Sequence, residues 1–95
     1  MYKDTYFEWE EEKDSANISK HNISFFEARQ AFADPKRILL TDSRHSEVEK
    51  RMFCIGLVNG IIIMVRFVKR GKRIRIFGAG AWRQAKSLYE QENNI

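Results

Sequence analysis

The chain has 95 residues, 43% hydrophobic and 13% aromatic, with a formal net charge of +4. This suits one small domain, residues 1–95, with a single core, and is too apolar for a disordered tail. One cysteine excludes an internal disulfide, Met1–Lys13 lacks the apolar segment of a secretory signal, and the longest apolar run, Ile61–Val65, is far too short to cross a bilayer.

A cytoplasmic protein without membrane association is therefore expected. Its charge is unevenly placed: residues 1–34 hold 4 Lys/Arg against 8 Asp/Glu, and residues 35–95 hold 13 against 5. An acidic front and a basic back suggest one half that faces nucleic acid and a separate face with another task.

In chain order, Tyr6-Phe7-Glu8-Trp9 alternates weakly and reads as a short edge strand. Glu10 to about Lys20 is helix-compatible, with acidic residues at the positive end of the helix dipole. Lys13, Asn17, Lys20 and His21 give it a polar side, while Trp9, Ala16 and Ile18 are expected to dock it. His21 also suits the last turn, where a cationic side chain can meet the final carbonyls.

A second helix opens at Ser24, an N-cap with Glu27 three residues on, and buries Phe25, Ala28 and Phe32 with Phe26 beside them. Asp34-Pro35 ends it. Ile38–Thr41 is a short β run, and Asp42–Lys50 is a polar connector.

Three antiparallel strands follow, Arg51–Val58, Ile61–Lys69 and Lys72–Ala79, joined by Asn59-Gly60 and Arg70-Gly71. Gly78 and Gly80 bracket a turn into a last helix, Ala81 to about Glu92, with Trp82, Ala85 and Tyr89 on one face. The expected fold is α+β: two N-terminal helices, an antiparallel sheet of about four strands and a C-terminal helix, with one sheet face covered and the other partly open.

Two-residue loops at both joints set the register. Phe53 then faces Arg66, Arg51 faces Val68, Val68 faces Arg73 and Arg66 faces Arg75. One sheet face carries Met52, Cys54, Val65, Phe67, Ile74 and Ile76; the other carries Arg51, Phe53, Arg66, Arg73 and Arg75, grading into Ile55, Met64 and Phe77. Four arginines on one face are either a solvated basic surface or a polyanion site, where guanidinium matches phosphate bidentately.

Metal chemistry is poorly supported, because His21 and His45 lie in different elements and no ligand spacing occurs. Gly78-Ala79-Gly80 lacks the lysine of a phosphate loop, and Cys54 falls on the apolar face as a small buried hydrophobe. His45 and Glu49 remain, just before the strand that starts at Arg51.

Such a set suits RNA cleavage by the adjacent 2′-hydroxyl: a base, an acid, and arginines for the phosphorane charge, with no cofactor. The plainer readings are an exposed loop histidine and a surface ion pair from Glu49 to Arg51 or Lys50.

The pieces Phe7-Glu8-Trp9, Lys13, Asn17, Lys20-His21, Ser24-Phe25 to Ala28, Phe32, Asp34-Pro35, Asp42, His45-Ser46, Glu49, Arg51, Ile55-Gly56 and Arg73–Ile76 with Ala79 run in one order over residues 7–90. In this the chain resembles the BrnT-type toxins of bacterial type II toxin–antitoxin systems. The resemblance implies a fold related to the RelE and ParE toxins, a ribonuclease that arrests translation, and a ribbon-helix-helix antitoxin (BrnA-like) whose complex with the toxin binds operator DNA.

Carried onto this sequence, it marks Lys20, His21, His45, Glu49, Arg51 and Arg75; the register adds Arg66 and Arg73. Many members have an arginine where this chain has Gly80, and Arg83 is the nearest candidate to replace it.

The expected catalytic set is His45, Glu49, Arg51, Arg66 and Arg75, with Lys20, His21, Phe53, Arg73 and Arg83 contacting RNA. The alternatives are a non-catalytic nucleic-acid-binding module, with Phe53 and Phe77 as stacking surfaces, and an inactive homologue that only binds an antitoxin.

Overall fold

The computed structural model of the chain describes residues 1–45 and 48–95. Its strands are β1 (Tyr2–Lys3), β2 (Phe7–Trp9), β3 (Ile38–Thr41), β4 (Arg51–Val58), β5 (Ile61–Arg70) and β6 (Arg73–Gly80). Its helices are α1 (Glu11–His21), α2 (Phe25–Ala28) and α3 (Arg83–Glu92). A 3₁₀ turn, Arg29–Ala33, continues α2, and another, Ser43–His45, follows β3.

The sheet corrects the expected fold class. It has six strands in the order β1-β2-β6-β5-β4-β3 and is mixed, because β2 runs parallel to β6 while the other pairs are antiparallel. Tyr6–Trp9 is therefore not an edge: Phe7–Trp9 lies between β1 and β6 and buries Trp9. Only α1 is a full helix before the antiparallel strands. The second expected helix is one α turn that tightens into 3₁₀ geometry before Asp34-Pro35.

Its start is as the sequence implies. The Ser24 side chain accepts from the Glu27 N–H at 3.0 Å and the Glu27 carboxylate accepts from the Ser24 N–H at 3.4 Å, the reciprocal capping box.

Helices lie on both faces. Against one pack α1, α2 and the first 3₁₀ turn, over Trp9, Phe25, Ala28, Cys54, Val65, Phe67, Ile76 and Ala79. Each fully buried Phe here contributes on the order of 1.5–3 kcal/mol. An edge-to-face series, Phe7–Phe32 at 5.5 Å and Phe32–Phe67 at 5.0 Å, links β2 to the central strand.

On the opposite face α3 covers only one end of the sheet, setting Ala85 and Tyr89 on Ile55 with Ile38, Leu40 and Met64 around them. The other end of that face stays open.

Helix α1 does not dock as expected. Ala16 and Ile18 are exposed, and its buried residue is Asn17. The Asn17 amide accepts from the Ala79 N–H at 3.1 Å and donates to the Ile23 carbonyl at 2.9 Å, so it satisfies backbone at the strand it covers. The helix is closed by Asn22, at φ 56, whose N–H reaches the Ile18 carbonyl, and not by His21.

Asp34 ties three elements together, accepting from the Tyr89 hydroxyl at 2.6 Å, the Leu57 N–H at 2.8 Å and the Lys36 N–H at 2.9 Å. Among the described residues, no helix is long and apolar enough to cross a membrane.

Candidate functional site

The first hairpin folds in the expected register, with Asn59 at φ 49 and Gly60 at φ 81, Phe53 opposite Arg66 and Arg51 opposite Val68. The second hairpin does not. Its loop is Gly71-Lys72, with Gly71 at φ 61 in the first central position, so Arg70 pairs with Arg73 and Val68 with Arg75.

A bulge then intervenes. Phe67 pairs with Ile76 and Arg66 with Gly78, leaving Phe77 as the extra residue of β6. The expected opposition of Arg66 and Arg75 is thereby overturned.

The bulge sets the open face. Phe77 presents its ring to two guanidiniums, with the Arg51 and Arg66 Cζ atoms 5.0 and 5.6 Å from its centroid, within reach for cation–π attraction. Arg66 lies across Gly78 so closely that a Cβ there would be 2.6 Å from its Nη2. No carboxylate of the described residues forms a salt bridge with Arg66.

The other expected arginines are engaged elsewhere. Arg75 donates to Glu10 at 2.6 Å and lies 3.6 Å from the buried Glu8 carboxylate, beside its parallel-strand partner. Arg73 donates to the Asp4 carbonyl at 2.7 Å. Arg75 still lines one depression with Arg51, Phe77 and Glu49, whereas Arg73 is directed to the β1–β2 turn.

Ahead of β4, the Asp42 carboxylate supports both the 3₁₀ turn and His45. One oxygen accepts from the Arg44 N–H at 3.2 Å and holds the 3₁₀ turn; the other lies 2.9 Å from His45 Nδ1. Burial raises the Asp42 pKa, but the hydrogen bond and charge of His45 with the turn's N–H groups outweigh this and hold it below the ordinary value. An ionised carboxylate only accepts, so Nδ1 carries the proton and Nε2 is the atom offered outward. Asp42 was missed as a site residue, although an aspartate three residues before a histidine in a polar connector was a usable signal.

Glu49 is engaged differently. Arg70 donates to both its oxygens, at 2.6 and 2.9 Å, and these hydrogen bonds hold its carboxyl below the usual range. The bland reading of Glu49 as an ion-paired surface residue is right in kind, with Arg70 as the partner instead of Arg51 or Lys50. Ser46, part of the family-like pair His45-Ser46, and Glu47 lie outside the described residues.

A second depression, ≈ 470 Å³, adjoins His45 and is lined also by Phe53, Met64, Arg66, Trp82 and Arg83. The structure thus gathers His45, Phe53, Arg66 and Arg83 around one groove. Lys20 is exposed on the last turn of α1, and His21 reaches the groove only through Trp82, edge-on at 5.3 Å between centroids. Burial pushes the Cys54 thiol up to about 12, so it stays protonated and inert. Among the described residues, no cluster of His, Cys, Asp and Glu could hold a metal ion.

A family model described as "Ribonuclease toxin, BrnT, of type II toxin-antitoxin system" matches residues 9–86, a span that takes in β3 to β6, the Asp42–His45 pair and Arg83. No match is found among curated proteins. The matched span is most of the chain, and the chain belongs to the BrnT family of ribonuclease toxins of type II toxin–antitoxin systems.

Proposed function

We propose that this protein is an endoribonuclease that cleaves RNA without a divalent metal and thereby arrests translation, and that a ribbon-helix-helix antitoxin neutralises it. Operator DNA is then bound only through the toxin–antitoxin complex. The observation that carries the catalytic part is the Asp42–His45 pair, 2.9 Å apart, in a groove that also contains Arg66.

In this reading His45 Nε2 takes the proton of the 2′-hydroxyl. The oxygen attacks phosphorus, the bond to the 5′-oxygen breaks, and that oxygen gains a proton from water at the open face. Arg51 and Arg66, held on the Phe77 ring, carry the growing negative charge of the phosphorane. The products are a 2′,3′-cyclic phosphate and a 5′-hydroxyl. Asp42 positions the imidazole and sets its tautomer. Glu49, ionised and forked by Arg70, is the weaker proton carrier.

The test is incubation of antitoxin-free protein with RNA in the presence of a chelator. Wild type cleaves, and His45→Ala is slower by about 10²–10⁴-fold, the usual contribution of a general base. Intact RNA with folded wild type overturns the reading; salt-sensitive binding without scission then supports the non-catalytic module instead.

A further inference from the structure

We propose that the groove beside His45 is a nucleobase subsite, which holds one unpaired base of the RNA stacked on the Trp82 indole. The identity of the ligand as RNA rests on the ribonuclease reading above; the geometry of the subsite does not.

The groove is lined by the apolar residues Phe53, Met64 and Trp82 together with Arg66 and Arg83. A largely apolar lining with two arginines in it matches a nucleotide, whose flat base is poorly hydrated and whose phosphate is anionic. His45 lines the same groove, so a base seated there belongs to a nucleotide next to the bond that is cut. The Gln84 amide, also on the lining, offers a donor and an acceptor to a base edge. A paired base is stacked within its helix and cannot enter, so the substrate is single-stranded at this point.

Trp82 is held as a platform by two neighbours. Gly80 has no side chain, and the indole fills the space it leaves: a Cβ at Gly80 would lie 2.6 and 2.7 Å from the ring atoms Cη2 and Cζ2. His21 closes from the α1 side, its ring inclined at 68° to the indole. A side chain at position 80 would need the volume the indole occupies. The stacking surface is therefore tied to the Gly80–Trp82 combination of this chain.

The probe is a set of short 2′-O-methyl oligoribonucleotides, which cannot be cleaved, each with one abasic position. Wild-type indole fluorescence is quenched saturably on binding. Trp82→Ala weakens binding by about 5- to 150-fold, the range for losing one stacked base. Trp82→Phe retains most of the affinity. One abasic position removes the difference between wild type and Trp82→Ala, because there is no longer a base to stack. Should Trp82→Ala fail to fold, Trp82→Leu keeps an apolar anchor for α3 without an aromatic face.

Equal affinity of wild type and the Ala or Leu variant for every probe overturns the subsite, even where wild type cleaves RNA. Quenching and the abasic signature without cleavage by wild type support the subsite while overturning the ribonuclease reading.

Discussion

Gly56 and Gly78 lie in neighbouring regions of the same sheet, and the same substitution is expected to cost far more stability at the first than at the second. A Cβ at Gly56 would be 2.4 Å from the Ala31 carbonyl oxygen and 2.9 Å from its Cα. These atoms are the backbone of the 3₁₀ turn that presses on β4, held by Asp34 behind it and the capped α2 ahead. Neither can yield without shifting the layer that covers the core.

Overpacking of this kind costs about 1–3 kcal/mol or more; with backbone as the obstacle, Gly56→Ala belongs at the upper end, about 3 kcal/mol. At about 4–8 °C per kcal/mol for a domain of this size, its melting temperature falls by roughly 12–24 °C.

At Gly78 the obstructing atoms are the Arg66 Nη2 and Nε, 2.6 and 2.7 Å away, at the far end of a flexible chain. The guanidinium can swing aside and forfeit a cation–π contact of about 0.5–1 kcal/mol. Against this, replacing glycine where φ is negative gains about 0.4–1 kcal/mol from the unfolded chain. Gly78→Ala should melt within about 5 °C of wild type, since the two terms nearly cancel, yet bind RNA more weakly because Arg66 has moved. Thermal unfolding of both variants followed by circular dichroism is the assay. Equal melting shifts would refute the argument that backbone and side-chain obstacles differ.

Three further outcomes follow from the site and its supports. Asp42→Asn leaves His45 in place but removes the fixed acceptor for Nδ1, so single-turnover cleavage should slow while RNA affinity stays; an unchanged rate removes Asp42 from the positioning role. Glu49→Gln should slow cleavage far less than His45→Ala, and a matching loss would restore Glu49 as a proton carrier.

The Asp34–Tyr89 bond gives a pH signature. Hydrogen bonding to Asp34, with burial, pushes Tyr89 up to about 12. The stability from this shift is complete below the ordinary tyrosine value of about 10 and is lost as pH rises to about 12. Asp34 is shifted oppositely: burial raises its pKa, but the bonds from Tyr89, Leu57 and Lys36 prevail and lower it, so its contribution disappears only as pH falls below the usual carboxylate range. Denaturant midpoints measured across pH should show a larger alkaline loss in wild type than in Tyr89→Phe, where the Tyr2–Asp4 hydrogen bond still contributes.

The first hairpin was legible because Asn-Gly supplies two residues tolerant of positive φ, and alternation did the rest. In the second, Gly71 is the first central residue of the loop and not the second, which moves the pairs as far as Phe67 by two positions and keeps their faces; past the Phe77 bulge the offset is three and the faces change as well. Gly78 and Gly80 inside a strand were a bulge signal, and they were read as a turn instead.

The short N-terminal strands gave little periodicity, so the insertion of β2 beside β6 was illegible. That insertion, which aligns Glu8 with Arg75, is why one expected phosphate ligand is found in an ion pair. Asn17 was misplaced for a different reason: a polar residue looks solvent-facing until the backbone N–H it must satisfy is known.

The parallel pairing of β2 with β6 also governs the order in which the domain can be completed. Phe7 pairs with Ile74, so the 67 residues that follow Phe7, up to and including Ile74, must leave the ribosome first, which takes roughly 3 to 13 s at ordinary synthesis rates. The β4–β5 hairpin closes locally and early, but α1 has β6 as its main support and gains it last. A nascent chain in that interval has neither the bulge at Phe77 nor the guanidinium pair it holds. Assembly of the charged face is thus coupled to synthesis of β6, and a truncated chain lacking β6 would be left without it.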